Sequence, residues 1–310
     1  MALRELPRVN DGRRSLMFEL RRGKYFRYVI LAPAMVIIFF FALFPLFYTL
    51  RLSFTSQVLT NPNPPLFTGL ANYRRALNDP MFWSSLKRTT FFTIMAVSLE
   101  MILGTVIAFL LTQPLAGRGL VRTLMLLPVA AAPIAMGLVW RYMYHADFGI
   151  FNFLVERIGL ARRNWLGESS IAMFAIVLFD VWQWTPFVAF VISAALHALP
   201  REPFEAAQVD GASKWLVFRS LIVPLIAPVW FFVFLLRIID AVRLYDPIYA
   251  LTRGGPGTAT ETLSWYLYRN AFAYWDMGYS AAIALLFLYV MMILSSLTIR
   301  VMNRIAGGEK

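Results

Sequence analysis

Apolar residues in this chain come in long runs separated by polar, proline-bearing loops. Six runs reach the roughly 20 residues a helix needs to cross a bilayer. They lie near 28–50, 90–112, 121–141, 171–196, 219–240 and 280–301. The first comes after a basic stretch, yet it is too long for a signal-peptide core and has no small-x-small cleavage site behind it, so it reads as a retained span. The pattern predicts an all-α polytopic membrane protein with six transmembrane helices over 28–301, a basic segment over 1–27 and a short tail over 302–310. Two readings stand for 1–27, an interfacial helix and a disordered basic tail.

Several spans depart from plain apolarity. The second carries Glu100, either a pathway carboxylate or the partner of a neighbouring helix. The third holds Pro128 and Pro133, which remove backbone hydrogen bonds and kink the helix. In the fourth, Asp180, Gln183, Trp184 and Phe187 share one face by helical spacing. Acid, amide and rings on one face suit a sugar, hydroxyls to the polar groups and the apolar ring face to tryptophan. Packing rings with Asp180 paired to another helix is the alternative. The fifth span is short and carries prolines, and Arg237 and Asp240 are spaced to pair on one face. Broken, charged spans are the usual neighbourhood of a transport site.

The loops are as distinctive. Residues 201–218 are small and polar between two apolar runs. Pro203 suits a first helical turn, Glu205 sits where negative charge is favoured, and Gly211 breaks the helix before a second short one bearing Trp215 and Phe218. The expected product is a helical hairpin displaying Glu205 and Asp210. The loop over 51–89 has a proline-rich half and a half that reads as a short amphipathic helix, with Tyr73, Leu77 and Trp83 as interfacial anchors. Later, Gly254-Gly255-Pro256 forces a turn, and Thr258 to Glu261 read as a cap before a helix.

Composition agrees with the pattern. The chain of 310 residues is 59% hydrophobic and only 15% charged, too apolar for a soluble domain. It has no cysteine and two distant histidines, which removes disulfides and leaves no cysteine–histidine metal cluster to build. The net charge of +12 lies mostly in loops beside apolar runs, so anionic lipid, not nucleic acid, is the expected partner. Basic residues before the first span and after the last place both termini and the 201–218 loop in the cytoplasm, although Arg51, Arg74, Arg75, Lys87 and Arg88 lie in the first outer loop.

Three groups of residues carry a resemblance. Glu205-Ala206-Ala207, Gly211 four positions on and Pro224 thirteen further resemble the EAA loop of ABC-importer permeases, in the extended form of the carbohydrate branch. GLANYRRALNDPMFWSSLKRT and LTRGGPGTAT are similar to segments of the same sugar permeases. The resemblance implies a type I, MetI-like architecture in a bacterial inner membrane. It also implies a coupling role for Glu205, Ala206, Ala207, Asp210, Gly211 and Pro224. The implied partners are a second homologous permease, two copies of a cytoplasmic ATPase that bind the ATP and magnesium, and a periplasmic or extracellular sugar-binding protein. No GxxxxGK[ST] occurs here, no cofactor is expected on this chain and no covalent chemistry. A gap-free overlay on the maltose-type permease puts sugar-lining positions on Pro133, Asp180, Gln183, Trp184, Phe187, Arg237, Ala241 and Leu244. These types differ from the maltose lining, and Arg237 raises the expectation of an anionic sugar unless Asp240 neutralises it. A self-sufficient proton-coupled transporter, with Glu100, Asp180 and Asp240 as relays, is the alternative.

Overall fold

The computed structural model describes residues 26–114 and 117–306. The expected basic segment over 1–27 falls almost wholly outside them, as does the end of the tail. Helix α1 (Phe26–Ile38) runs through a π-helical turn (Phe39–Leu43) into α2 (Phe44–Ser53). A short α3 (Ala71–Asn78) precedes the long α4 (Pro80–Thr112). Then come α5 (Arg118–Ala130), α6 (Pro133–Met143), α7 (Ile150–Arg157) and α8 (Ala172–His197). The hairpin is formed by α9 (Glu202–Val209) and α10 (Lys214–Val217), continuing through a π-helical turn (Phe218–Ile222) into α11 (Val223–Val242). The chain ends with α12 (Asp246–Leu251), α13 (Leu263–Tyr268), a π-helical turn (Arg269–Ala273) and α14 (Met277–Ala306). Among the described residues, five helical stretches are long and apolar enough to cross a membrane, and the bent pair α5–α6 makes a sixth when taken as one span.

Proline shapes three of these spans. Two π-helical turns end just before a proline, at Pro45 and at Pro224. Proline lacks the N–H that closes the preceding turn and its ring crowds the carbonyl there, so a widened turn keeps the helix continuous. At Pro133 the solution differs. A residue before proline is pushed to extended backbone; Ala131 and Ala132 adopt it, and α5 and α6 meet at 102°. Pro128, expected to kink the span as well, lies inside α5.

The core is the seam between α4 and α8, crossed by α11. Close approach there depends on Gly104: a Cβ at that position would stand 2.6 Å from the Val188 Cβ. Around Trp140 of α6, the rings of Tyr144, Phe151, Phe179 and Trp182 pack edge-on or tilted. Outward faces of the long helices carry exposed Phe, Leu and Ile, such as Phe41, Ile94 and Leu297, for which lipid is the natural solvent.

At the end of the bundle away from the hairpin, the loops are fastened by the motif residues. Asn72 donates to the carbonyls of Ser53 and Thr55 at 2.9 and 2.8 Å. Tyr73, expected as an interfacial anchor, instead shares a hydrogen bond with Ser53 at 2.7 Å, while Leu77 and Trp83 are exposed. Asp79 caps α4 by accepting from the Met81 N–H, and also accepts from the hydroxyls of Tyr266 and Tyr279. Burial alone would raise its pKa; the bonds from Tyr266, Met81 and Tyr279, together with Arg75, outweigh that and hold it below the usual 3.8. The cap of α13 is Thr262, one residue past the expected Thr258–Glu261 stretch.

Gly104→Val should force α4 and α8 apart, because Val188 has nowhere to retreat. Overpacking of this kind costs about 1–3 kcal/mol. Thermal unfolding of the purified permease should show the loss, and Val188→Gly in the same chain, which removes both clashing carbons, should restore part of it; a Gly104→Val protein as stable as the parent would refute the close-packing account.

Candidate functional site

A cavity of about 270 Å³ opens where α6, α8 and the end of α11 converge. It lies near the lower end of the range for ligand cavities, about 300 Å³. Pro133 contributes from the start of α6, and Asp180, Gln183 and Trp184 from α8. Asp240 and Ala241 come from α11, with Arg243, Leu244, Tyr245, Asp246 and Pro247 in the turn and first residues of α12. Six of the positions singled out in the sequence thus meet at one cavity: Pro133, Asp180, Gln183, Trp184, Ala241 and Leu244. Helical spacing brought the α8 residues to one face; only the fold brought them to Pro133 and Ala241.

Two positions fall elsewhere. Phe187 sits behind Trp184, its ring edge-on at 6.2 Å, and packs into the core. Arg237 lies beneath the cavity floor, 2% exposed, and its guanidinium is taken up within the protein. Its Nε and Nη2 donate to the Glu100 carboxylate at 2.6 and 3.1 Å, Nη2 also to Asp180 at 3.0 Å, and Nη1 to Asp240 at 2.5 Å. The Trp184 ring covers one face at 4.7 Å. The expectation that Arg237 holds an anionic sugar is therefore corrected. Such a group is costly to bury alone, and three carboxylates from α4, α8 and its own helix offset that cost. Glu100 is accordingly a partner of a neighbouring helix.

Gln183 has a double position. Its Nε2 donates to the carbonyls of Pro128 and Ala131 at 3.4 and 3.3 Å, covering groups freed by the α5–α6 break. Its Oε1 is buried and has no hydrogen-bond partner among the described residues. An acceptor left unpaired beside a cavity is suited to a ligand hydroxyl.

Sequence reasoning missed Asp240 as a lining residue, and missed Arg243, Tyr245, Asp246 and Pro247 altogether. The signal for them was a charged and aromatic turn, Arg243 to Asp246, directly after a broken span. This wall is held from below by the GGP segment: Thr262 donates to the Leu244 carbonyl at 3.1 Å, and the Thr252 and Thr260 hydroxyls bond at 2.7 Å.

The hairpin forms at the opposite end of α11. Pro203 lies in the first turn of α9, and the helix closes with the Ala212 N–H on the Ala207 carbonyl at 2.9 Å. Gly211 supplies the left-handed turn at φ +69°. Ser213 caps α10 by accepting from the Leu216 N–H. Glu205, Ala206 and Asp210 are exposed, Ala207 is half-buried, and Trp215 stacks on Phe218 at 5.5 Å. Pro224 lies in the first turn of α11, exposed.

Broken apolar spans around a polar cavity, with a displayed hairpin at one end, define a membrane transport protein. Residues 100–306 match the family of binding-protein-dependent transport system inner membrane components, and the chain belongs to that family. It is a multi-pass inner-membrane permease, which replaces the self-sufficient proton-coupled alternative. It is 39% identical over 259 residues to the trehalose/maltose transport system permease protein MalF of Thermococcus litoralis, covering 84% of this chain and 87% of that protein. It is 31% identical over 275 residues to the sulfoquinovosyl glycerol transport system permease protein SmoG of Agrobacterium fabrum, covering 89% of each. Its fold resembles a bacterial ABC transporter structure involved in import of the acidic polysaccharide alginate, with a TM-score of 0.79 at 18% identity over 94% of this chain and 99% of that one.

Arg237→Met should leave Glu100 and Asp180 buried without their cation. Breaking a buried pair from one side costs about 3–5 kcal/mol. Membrane yield and thermal stability should both fall, and adding Glu100→Gln should recover part of the loss. A stable single variant would show that the network does not hold the helices together.

Proposed function

We propose that this chain is the transmembrane permease subunit of an ATP-driven importer for a sugar or sugar derivative. The observation that carries the reading is the cavity formed by Pro133, Asp180, Gln183, Trp184, Ala241 and Leu244. It combines a ring platform in Trp184, an unpaired acceptor in Gln183 and exposed carboxylate at Asp240, the mixture that binds hydroxylated rings. Its kinship with trehalose/maltose and trehalose transport system permeases supports the class.

In this reading the chain carries out no covalent chemistry. ATP and magnesium bind to two copies of an ATPase subunit, and a second homologous permease and an external sugar-binding protein complete the assembly. Both termini and the hairpin face the cytoplasm. The hairpin is the coupling element, with Glu205, Ala206, Ala207, Asp210 and Gly211 presented to the ATPase and Pro224 at the root of the lever. From Trp215 to Ala241 the helical path is about 40 Å at 1.5 Å per residue. Closure of the ATPase dimer displaces the hairpin, and α11 carries that displacement to the cavity wall at Asp240 and Ala241. The 102° break in the third span and the widened turn before Pro224 are the places where the bundle yields.

Uptake of labelled sugar by the reconstituted complex tests the two ends separately. Trp184→Ala should lower apparent affinity about ten- to hundredfold, the cost of one buried contact, with basal ATP hydrolysis intact. Gly211→Ala adds a Cβ that meets no atom within 4 Å, so only its left-handed backbone is disturbed; uptake and ATPase association should fall while the permease stays inserted. Normal transport in both variants would overturn the assignment. The orientation has its own check, since the chain has no native cysteine. Ser213→Cys should react with a membrane-impermeant maleimide in inside-out vesicles and not in intact cells; the reverse would invert the topology.

A further inference from the structure

The charge around the cavity says which sugars it admits. Three carboxylates line it, Asp180, Asp240 and Asp246, against one guanidinium, Arg243. The layer beneath adds Glu100 and Arg237, one of each sign, so the excess of negative charge persists. The two layers differ in their freedom. Arg237 is locked, with four N–H donors already on Glu100, Asp180 and Asp240. Asp240 turns a side chain 54% exposed towards the opening. Arg243 is exposed and is the single cation in the lining, against three carboxylates.

We infer that this cavity takes neutral and cationic carbohydrates and rejects anionic ones, with Asp240 and Asp246 as the specificity-determining residues. The inference rests on the reading of the cavity as the sugar site. A ligand carboxylate here would face like charges at short range in a site partly shielded from water, where Coulomb repulsion is strong. An ammonium group would find the same carboxylates attractive. A neutral sugar keeps its hydroxyl bonds to Asp240 and to the unpaired Gln183 Oε1, and a face against Trp184 or Tyr245. Rejection therefore comes from a repulsive element built into the wall and not from loss of contacts.

The test uses the whole complex in proteoliposomes with its binding protein, and three probes of one shape: trehalose, its 6-carboxylate and 6-amino-6-deoxytrehalose. Calorimetry on the binding protein alone measures how tightly it holds each probe. Uptake is then compared at binding-protein saturation, so that discrimination by the permease is read separately. Wild type should carry trehalose and the amine at similar rates and the carboxylate at least about tenfold more slowly, one factor of ten for each 1.4 kcal/mol of repulsion. Asp246→Asn should narrow that gap about threefold or more, read as the ratio of carboxylate to trehalose uptake within the same variant. Arg243→Gln should widen it. Carboxylate and trehalose carried equally by wild type, or a gap unmoved by Asp246→Asn, would overturn the inference while leaving the sugar-permease reading in place. Saturated binding protein with no uptake of any probe would sink that reading, and the inference with it.

Discussion

Arg237 is the point on which the transmembrane architecture closes. Its guanidinium joins Glu100 of α4, Asp180 of α8 and Asp240 of α11, so three spans are tied at one buried atom cluster. Apolar packing between helices in lipid lacks the hydrophobic driving force present in water, so polar ties of this kind and close backbone contact specify how spans meet. Here both are present side by side: the guanidinium near the cavity, and Gly104 against Val188 further along the same α4–α8 seam. The network also fixes the rotation of α8, and with it the direction in which Gln183 and Trp184 point.

The cavity is thus built on a rigid floor and a divided wall. Two of its carboxylates, Asp180 and Asp240, belong to the floor's ion network and to the lining at once. Gln183 joins the lining to the break in the third span, through bonds to the Pro128 and Ala131 carbonyls. A ligand bonded to Gln183 would therefore touch the residue that covers the hinge. On the other side, the wall from Leu244 to Pro247 is held by Thr262, whose hydroxyl also caps α13. Each part of the site is attached to a different element of the bundle.

Much of this was legible along the chain, for a physical reason that differs with the element. The hairpin was readable because its determinants are local: Pro203 starts a helix, Gly211 alone accepts φ +69° cheaply, and Ser213 caps the second helix. The spans were readable because length and apolarity are themselves the constraint set by a bilayer. The shared face of Asp180, Gln183 and Trp184 came from helical periodicity, which holds wherever the helix sits. Even the presence of a break in the third span was written in Pro128 and Pro133.

The linear order could not decide which way each face turns and which groups it meets. Arg237 and Glu100 are 137 residues apart, and the choice between a ligand's charge and a helix's carboxylate depends on the rotation of three helices about their axes. Only the packed structure spends the guanidinium inside the protein and leaves the cavity lined by acids. The same holds for Phe187, on the right face of α8 but one layer behind Trp184, and for Asp246, whose place at the cavity comes from the turn after α11. Local chemistry determined the elements, because propensity, capping and hydropathy act within a few residues. Tertiary structure alone decided the sign of the charge that faces the cavity, because electrostatic partnership is a property of distances between helices that the linear order does not contain.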